Sequence, residues 1–556
     1  MSDERLAQAR AWMRQDPDHE TRDELAAVIT RAADGDEAAA ADLDDRFGTR
    51  LAFGTAGLRG ALGAGSNRMN RVLVAQAAAG FAAYLRERAQ GDVPTVVIGY
   101  DGRRNSRVFA TDSAELFAGA GLRTILLPRL LPTPVLAFAV RHLKADAGVM
   151  VTASHNPPND NGYKVYLGGA DQGSQIVAPA DAEIAAHIQR VADAADVSAL
   201  PRSTSYETAS EAVVDAYVAA TAAVAPAPAG TSGLRWVYTA MHGVGWETLS
   251  KIVTAAGYPQ PMVVSEQLEP DATFRTVSFP NPEEPGAMDL SVARARRVQA
   301  DFILANDPDA DRLAVAIPDA TAESGWRRLT GNEVGLLLGA RAARAAVGMP
   351  GAALACSLVS SPGLAAVAAR HGLDFHETLT GFKWISRAPG LVFGFEEALG
   401  YLVNPETVRD KDGISAAVAI LGLAADAHER HLSLADLLVK LGDTYGHFAS
   451  GQVSVRVDDL SVIDSVMLSL RTLPPTQFGG HTIASAEDLL HAGDGQPSGD
   501  VLRYRLADGS RIIVRPSGTE PKLKVYIDAR GESADQAAAT VGELETAVRT
   551  LLDERS

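Results

Sequence analysis

The chain lacks the features that would place it in a membrane or outside the cell. Its one cysteine, Cys356, excludes an intrachain disulfide, and the surrounding apolar run AALACSL favours a small buried side chain over a reactive thiol. No apolar run is long enough to span a bilayer, and the N-terminal MSDERLAQARAWMRQD has no signal-peptide core. These absences predict a cytoplasmic protein with no membrane partner.

Positive charge is also in short supply. The chain has 51 basic and 69 acidic residues, and its formal net charge is −18. This balance favours solubility and argues against nucleic acid as the main partner, although it leaves room for a local basic pocket.

The length of 556 residues predicts about four domains, at roughly 150 residues each. Residues up to Phe47 have the pattern of Ala-rich helices. Short β-rich runs then alternate with amphipathic segments, which predicts βαβ units and a mostly parallel sheet. The segment APAPAGTSG has the composition of a linker, and beyond His447 apolar and polar residues alternate as in an antiparallel sheet. We therefore expect domains at 1–225, 226–325, 326–448 and 449–556, the first three each carrying a loop of functional type.

The first such loop is TASHNPPNDNGYKVY, which follows the apolar run Ala147–Val151. Asn, Pro, Asp and Gly crowd Asn156–Gly162, so we expect this part to end the strand and remain irregular. A loop at the end of a strand is where α/β proteins usually place their chemistry. By itself, the stretch could be a solvated turn in which Ser154 and His155 bond nearby backbone, but four other stretches favour a functional loop.

A Gly-rich stretch lies earlier in the chain, at LAFGTAGLRGALGAGSNRMN. Gly54, Gly57 and Gly60 do not have the spacing of a dinucleotide-binding fingerprint, and no clean strand precedes them. These glycines would instead let the backbone pass close to a ligand while Arg59 points towards it.

The run NDPDADR places Asp307, Asp309 and Asp311 at alternate positions, so that an extended loop would present all three carboxylates on one side. Carboxylates this close repel one another unless a cation lies among them, and ligand sets made only of oxygen favour Mg²⁺ or Ca²⁺. An EF-hand is excluded because its sixth and twelfth loop positions would be Arg312 and Pro318. An exposed acidic turn is the alternative, and the apolar strand before the loop weakens it.

Two further stretches could bind a phosphosugar. The run RPSGT combines Arg515 with two hydroxyls and a glycine amide, which suits a phosphate, although a hairpin turn has the same composition. In GFEEALGY, Glu396 and Glu397 could accept hydrogen bonds from sugar hydroxyls, or they could be the acidic first turn of a helix. Lys383, in TGFKWI, could be a general base if buried, or an ordinary lysine beside Trp384.

Taken together, these stretches resemble one family. GTAGLRG, TASHNP, NDPDADR, GFEEALGY and RPSGTEPK occur in this order between about Phe53 and Tyr526. They resemble the α-D-phosphohexomutases, in particular the branch with phosphoglucomutases and phosphopentomutases. The resemblance implies an α/β fold, with three related α/β domains with mixed sheets plus a smaller α+β C-terminal domain around a central cleft.

The resemblance also implies roles for individual residues. Ser154 matches the serine that carries a phosphoryl group, and it would complete the Mg²⁺ site of Asp307, Asp309 and Asp311. The remaining matches are His155 and Lys164 beside the phosphoserine, Arg59 of the first loop, Lys383 as a general base, Glu396 on the sugar hydroxyls with Glu397 and Arg312 as further substrate contacts, and Arg515, Ser517, Gly518 and Thr519 as the phosphate loop.

One departure bears on the substrate. Many glucose enzymes of the family have serine where this chain has Ala398, which removes one hydroxyl contact. We expect a Mg²⁺-dependent mutase that interconverts hexose 1-phosphate and hexose 6-phosphate, glucose first, with a sugar bisphosphate as activator. Mannose and pentose phosphates remain open, as does the oligomeric state.

Overall fold

The computed structural model describes residues 3–55, 57–194, 196–229, 231–457, 460–491, 498–517 and 522–555. Ala-rich segments form its first helices, as predicted. The α-helices are α1 (Asp3–Gln15), α2 (His19–Ala33), α3 (Glu37–Phe47), α4 (Arg71–Arg88), α5 (Ser106–Gly119), α6 (Thr133–His142), α7 (Ala180–Ala194), α8 (Ala212–Ala222), α9 (Gly245–Ala256), α10 (Asp289–Val298), α11 (Gly331–Ala345), α12 (Gly363–His371), α13 (Phe382–Ile385), α14 (Gly413–Glu429), α15 (Leu434–Tyr445), α16 (Leu460–Thr472) and α17 (Ala534–Asp553). None of the described helices is both long enough and apolar enough to cross a membrane.

The described strands form four sheets. In spatial order, the first contains β1 (Leu58–Ala61), β5 (Asp160–Leu167), β4 (Ala147–Val151), β2 (Thr95–Tyr100), β3 (Arg123–Leu126) and β7 (Glu207–Thr208), with β6 (Ser174–Gln175) paired to β5. The second contains β12 (Trp326–Arg328), β11 (Leu313–Pro318), β10 (Phe302–Asn306), β8 (Trp236–Thr239) and β9 (Met262–Val263). The third contains β14 (Asp374–Thr378), β13 (Ala353–Ser357), β15 (Leu391–Glu396) and β16 (Gly400–Leu402). The fourth contains β17 (His447–Arg456), β22 (Lys522–Gly531), β21 (Arg511–Pro516), β20 (Leu502–Leu506), β19 (His481–Asp488) and β18 (Gln477–Phe478).

The first three sheets share one arrangement. Each has parallel central strands, and in each the last parallel strand is followed directly by an antiparallel neighbour. These successive pairs are β4 with β5, β10 with β11, and β15 with β16. Several of the parallel strands are continuous apolar runs, as expected where helices cover both faces of a sheet. Strands β4 and β10, for example, are buried along their whole length. The predicted α/β class with mixed sheets is confirmed.

The fourth sheet is antiparallel throughout, as the alternating pattern beyond His447 predicts. One of its faces packs against α17, through apolar residues such as Leu544 and Val548, while Val525 and Ile527 of β22 lie in the same core. The C-terminal part of the chain is therefore α+β, which confirms the expectation of a different fold class there.

Two local expectations are wrong or incomplete. The Gly-rich stretch contains the short strand β1, and Asp160, Asn161 and Gly162 begin strand β5 instead of remaining irregular. The reason is that Gly162 faces Arg59 across the β1–β5 ladder. A Cβ atom at Gly162 would lie 2.6 Å from the carbonyl oxygen of Thr152, so this glycine permits close packing of backbone.

The chain divides into two compact units. Unit 1 comprises Met1–Arg328 and Asn404–Asp426, and unit 2 comprises Leu329–Val403 and Ala427–Ser556. The chain therefore leaves unit 1, builds two strand pairs of unit 2, and returns to unit 1 before it completes unit 2. Cys356 is buried in β13 of unit 2, as its apolar surroundings predict.

Candidate active site

Ser154 lies in the loop between β4 and β5 of unit 1. Its backbone has a φ of +52°, a left-handed conformation that is uncommon for a residue with a side chain. The residue is 2% exposed, and its backbone N–H donates to the hydroxyl of Thr152 at 2.9 Å. Its own hydroxyl donates to Asp307 Oδ2 at 2.7 Å. The loop therefore directs the serine oxygen towards the acidic run instead of towards solvent.

Arg103 holds this loop in shape, and the sequence interpretation missed it. Its guanidinium donates to the carbonyl oxygens of Ser154, Asn156, Pro157 and Asp160, at 2.6 to 3.1 Å. It is 4% exposed and lies over the ring of Phe274, 4.9 Å from the ring centroid. Four carbonyl acceptors on one buried cation fix the irregular backbone on both sides of Ser154.

A signal for Arg103 was present in the sequence. The segment DGRRNSR directly follows the apolar run that forms β2, and β2 lies beside β4 in the sheet. The carboxyl ends of parallel neighbours meet at one edge of a sheet, so a cation placed there can reach the loop after β4.

The three aspartates lie in the turn between β10 and β11. The turn is bent, with a positive φ of +55° at Ala310, so the extended loop expected from the sequence is wrong. The carboxylates nevertheless converge, because one oxygen from each lies within 4.8 Å of the others. All three residues are fully buried. Asn306 closes the turn by donating to the carbonyl oxygen of Arg312 at 2.6 Å.

Two ammonium groups face these carboxylates. Lys164 Nζ of β5 lies 2.7 Å from Asp309 Oδ2 and 2.7 Å from Asp311 Oδ2. Lys411 Nζ lies 3.0 Å from the same Oδ2 atom of Asp311. The hydroxyl of Thr133, at the start of α6, donates to Asp309 Oδ2 at 2.6 Å. Of these three neighbours, the sequence analysis identified only Lys164.

The remaining carboxylate oxygens suit a hard cation. Asp309 Oδ1 and Asp311 Oδ1 are buried and accept no hydrogen bond, and Arg312 Nε lies 4.0 Å from Asp311 Oδ1. A charged oxygen that accepts no hydrogen bond is costly to bury unless a cation lies close to it. The Oδ2 atoms already accept from lysine or threonine. One oxygen on each of two carboxylates therefore remains for an ion, and an all-oxygen donor set of this kind fits Mg²⁺.

The charges of the cluster divide the three aspartates electrostatically. Burial, followed by the charges of Asp309 and Asp311, raises the pKa of Asp307 well above its ordinary value. Burial also raises the pKa of Asp311, but Lys164 and Lys411 outweigh it and the net pKa lies below the ordinary value. The pKa of Asp309 is lowered as well, so the two aspartates that are paired with lysine are stronger acids than Asp307.

Arg59 and His155 both contact side chains of the Ser154 loop. Arg59 donates to the side-chain oxygen of Asn156 at 3.1 Å. His155 Nδ1 lies 3.2 Å from Ser154 Oγ. Burial, aided by the charges of Arg312 and Arg59, lowers the pKa of His155 well below its ordinary value, so its imidazole is neutral at neutral pH. Since the hydroxyl of Ser154 donates its one proton to Asp307, a protonated Nδ1 would donate to the serine oxygen.

In unit 2, the two glutamates end a strand. Glu396 is the last residue of β15 and pairs with Gly400 of β16, and Glu397 opens the turn between them. The alternative that they form the first turn of a helix is therefore wrong. Ser357 and Ser360 each donate a hydroxyl to Glu397 Oε2 at 3.1 Å, and the Glu397 N–H donates to Ser360 Oγ at 3.1 Å.

Of the predicted phosphate-loop residues, Arg515 lies in β21 and Ser517 directly follows that strand. Arg515 pairs with Lys524 across the two strands, and the Ser517 N–H donates to the carbonyl oxygen of Lys522 at 2.8 Å. Gly518 and Thr519 lie outside the described residues. Burial raises the pKa of the Tyr526 hydroxyl, as do Glu397 and Glu396, while Arg515 opposes the shift. Tyr526 thus places the phosphate-loop arginine and the two glutamates in one electrostatic neighbourhood of unit 2.

Lys383 is the second residue of the short helix α13, which begins after Gly381. Its ammonium lies 6.0 Å from the centroid of the Trp384 ring, within range of a cation–π contact. The side chain is partly buried. Its position is compatible with both of the interpretations made from the sequence.

Comparison with known proteins agrees with this architecture. Family models described as phosphoglucomutase/phosphomannomutase match the chain in order: alpha/beta/alpha domain I at residues 50–195, domain II at 215–320, domain III at 330–445, and the C-terminal domain at 476–546.

Curated relatives match over most of their length. The chain is 53% identical to a Haemophilus influenzae protein named "Probable phosphomannomutase", over 87% of this chain and 98% of that protein. It is 36% identical to the Homo sapiens protein named "Phosphopentomutase", over 95% and 92% respectively. A crystal structure of a phosphoglucomutase/phosphomannomutase family protein from Burkholderia thailandensis has the same fold, with a TM-score of 0.68 at 20% identity over 90% of this chain and 98% of that one. The chain therefore belongs to the phosphoglucomutase/phosphomannomutase family and is a phosphosugar mutase.

Proposed function

We propose that the protein interconverts the 1-phosphate and 6-phosphate of a hexose, glucose first, through a phosphoryl group carried on Ser154. The observation that carries this proposal is the hydrogen bond of 2.7 Å between Ser154 Oγ and Asp307, inside a cluster of three convergent carboxylates and two lysines. A phosphoserine carries about −1.5 to −2 charge, so beside three carboxylates it depends on Lys164, Lys411 and a bound metal ion to offset that charge, whereas a serine used only for structure does not need them.

Bound by Asp307, Asp309 and Asp311, a Mg²⁺ ion would add positive charge beside the transferring phosphoryl group. The chain supplies the rest. Lys164 holds two of the carboxylates through their Oδ2 atoms, which keeps the Oδ1 atoms in place. Arg103 fixes the loop backbone, so that little reorganisation is needed when the phosphoryl group arrives or leaves.

In the proposed transfer, a hydroxyl oxygen of the sugar monophosphate bonds to phosphorus while the bond between phosphorus and Ser154 Oγ breaks. The serine oxygen takes up a proton, and the sugar hydroxyl loses one. His155 Nδ1, 3.2 Å from Ser154 Oγ, is placed to donate a hydrogen bond to this oxygen as charge develops on it. The resulting bisphosphate then returns its other phosphoryl group to Ser154, which regenerates the enzyme.

We assign sugar and phosphate recognition to unit 2. Glu396 would accept hydrogen bonds from sugar hydroxyls, with Glu397 beside it, while Arg515, Ser517, Gly518 and Thr519 would hold the phosphate that does not react. Arg312 would be a further substrate contact. Lys383 would be the base that takes the proton of the sugar hydroxyl, with Arg59 and Lys164 offsetting phosphate charge.

Mannose and pentose phosphates form the second candidate. Ala398 has no hydroxyl with which to contact the sugar. Among the relatives, the protein at 53% identity is named for mannose and the one at 36% for a pentose. We therefore include all three sugar classes in the test.

The decisive experiment compares initial rates on glucose, mannose and ribose 1-phosphates, each with Mg²⁺ and with a trace of the matching sugar bisphosphate. We expect the highest kcat/KM with glucose 1-phosphate and little turnover without bisphosphate. A higher kcat/KM with mannose 1-phosphate would refute the assignment to glucose. A higher kcat/KM with ribose 1-phosphate would refute the assignment to a hexose.

Inorganic phosphate is measured in the same reactions. A mutase releases almost none, because the phosphoryl group passes between sugar and serine. Phosphate release equal to substrate consumption would show that water is the acceptor, and would refute the proposed transfer in favour of a phosphosugar phosphatase.

A further inference from the structure

Lys411 enters the aspartate cluster from a part of the chain that no site motif includes. It lies in the segment Asn404–Asp426, which returns to unit 1 after the chain has built Leu329–Val403 of unit 2. Its side chain is about nine-tenths buried, and its ammonium lies 3.0 Å from Asp311 Oδ2. A lysine is rarely buried unless a carboxylate partner offsets the cost.

Hydrogen bonds and close packing hold the segment around Lys411 against the rest of unit 1. Asp410 Oδ2 accepts hydrogen bonds from the hydroxyl of Tyr166 at 3.0 Å and from Gln175 at 2.9 Å. Tyr166 is two positions from Lys164 on β5, so both side chains project from the same face of the strand. A Cβ atom at Gly413 would lie 2.1 Å from the carbonyl oxygen of Arg312, which shows how closely the segment packs on the aspartate turn.

These contacts close a ring of charged and polar groups. Lys164 and Lys411 both bind the same oxygen of Asp311, and Asp410 ties the segment of Lys411 back to the strand of Lys164. Lys164 and Lys411 thus already compensate part of the charge of three buried carboxylates, and Arg312 Nε, 4.0 Å from Asp311 Oδ1, adds to them. A divalent ion that binds the Oδ1 atoms of Asp309 and Asp311 must do so in the presence of these cations.

We propose that Lys411 is a positioning residue whose ammonium offsets part of the carboxylate charge of the metal site. It thereby stabilises the ion-free cluster and weakens the affinity of the cluster for a divalent cation. This inference rests on the proposed assignment of the three aspartates as metal ligands. The weaker affinity for a divalent cation is attributed to the positive charge of Lys411 and not to its hydrogen bond with Asp311. Because the lysines offset part of the carboxylate charge, the aspartates would neutralise less of the charge of the ion, and the ion would attract phosphate oxygens more strongly.

The test measures Mn²⁺ binding by titration calorimetry, in full-length chains that all carry Ser154→Ala, so that no variant contains a phosphoryl group. Lys411→Met should bind Mn²⁺ at least about tenfold more tightly than the Ser154→Ala parent, since unit charges a few ångströms apart interact strongly at the effective dielectric constant of a protein. Its thermal midpoint should be lower without Mn²⁺ and should recover when Mn²⁺ is added. Unchanged or weaker binding by Lys411→Met overturns the inference.

Three further variants separate charge from packing. Lys411→Gln removes the charge but can still donate a hydrogen bond, so it should also bind more tightly, and it replaces Lys411→Met if that variant does not fold. Lys411→Arg keeps the charge and should bind like the parent. Tighter binding by Lys411→Arg would overturn the inference. Lys251→Met, the matched control, removes an exposed lysine that lies 2.9 Å from Glu247 and should change nothing.

The experiment also separates this inference from the proposed function. If the parent and Lys251→Met bind no Mn²⁺, the aspartate cluster is not a metal site and the proposed function loses its cofactor. If they bind Mn²⁺ and the charge-removing variants bind it equally well, only the role of Lys411 is refuted.

Discussion

The aspartate turn between β10 and β11 and the glutamate turn between β15 and β16 occupy the same position in their sheets. Each connects the last parallel strand to its antiparallel neighbour. They differ in what faces the carboxylates. Lysine ammonium groups face the fully buried aspartates, whereas serine hydroxyls donate to the partly buried Glu397. We propose that one topology supports two chemistries here, and that the neighbouring side chains decide which. Cations around convergent carboxylates suit a metal and a phosphoryl group, while a hydroxyl-bonded glutamate suits an uncharged sugar.

Ser154→Ala tests the aspartate side of this comparison most severely. We expect the mutase rate to fall at least about a thousandfold, because the variant cannot carry the phosphoryl group. Steady-state kinetics measure the loss, and after incubation with the sugar bisphosphate mass spectrometry should find phosphorylated Ser154 only in the parent. Ser205→Ala, at an exposed serine, is the control. Turnover by Ser154→Ala close to that of the control would refute the nucleophile.

Asp309→Asn removes one charge from the aspartate turn. We expect kcat/KM to fall at least about a hundredfold, because loss of even an outer-shell partner of a metal ligand costs about 10- to 100-fold in metal affinity or activity. The fall should be the same for glucose, mannose and ribose phosphates, because this turn is proposed to act on the phosphoryl group. Asp193→Asn, at an exposed aspartate of α7, should retain the parent rate. A fall confined to one sugar would assign Asp309 to sugar recognition instead.

Glu397→Gln changes the glutamate turn with almost no change of shape. Ser357 and Ser360 would then donate to a neutral acceptor, so we expect KM to rise about tenfold with a smaller change in kcat. The ratio of KM values among the three sugars should change as well. Equal losses of kcat for all sugars would contradict the contrast drawn between the two turns.

The surroundings of a carboxylate also matter at helix N-termini, where one aspartate is buried and another is exposed. Asp412 of unit 1 accepts hydrogen bonds from the Ile414 and Ser415 N–H groups, and burial raises its pKa to about 6. The folded chain therefore binds this proton more tightly than the unfolded chain, so Asp412 makes stability fall as pH rises from about 4 to 6. The thermal midpoint of Asp412→Asn should therefore rise relative to that of the parent as pH increases over this range.

The control is Asp436 in unit 2, which is exposed at the start of α15. Hydrogen bonds from Ser433 lower its pKa, so its contribution is present at neutral pH and is lost on acidification. Asp436→Asn should therefore lose midpoint relative to the parent as pH rises above about 4. If the thermal midpoints of the two variants, relative to the parent, changed with pH in the same direction, the proposed difference between the buried and the exposed aspartate would be refuted.

Much of the fold followed from pattern. Continuous apolar runs such as TVVIGY and FILAN became buried parallel strands, and alternation beyond His447 became an antiparallel sheet. The convergence of Ser154 with the three aspartates was expected from the family resemblance. Composition misjudged Asp160–Gly162, because Asn and Gly there serve strand packing instead of a turn.

What the sequence did not reveal depends on long-range topology. The run RDKDG reads as a charged surface loop, and only the return of the chain to unit 1 buries Lys411 beside Asp311. Asp412 before the apolar run of α14 was a detectable helix-start signal. Lys411 itself had none, because a lysine next to aspartates is usually solvated.

The return of Asn404–Asp426 to unit 1 has a consequence for synthesis. A growing chain that has reached Arg328 contains all three aspartates and Ser154, but it lacks the segment that supplies Lys411 and Asp412. Domains of a large protein tend to fold in order of synthesis. Here the first unit can be completed only after 75 residues of the second, Leu329–Val403, have been made. A fragment that ends at Arg328 is therefore an unfinished unit, and the translation of Leu329–Val403 sets the earliest moment at which Lys411 can join the aspartate cluster.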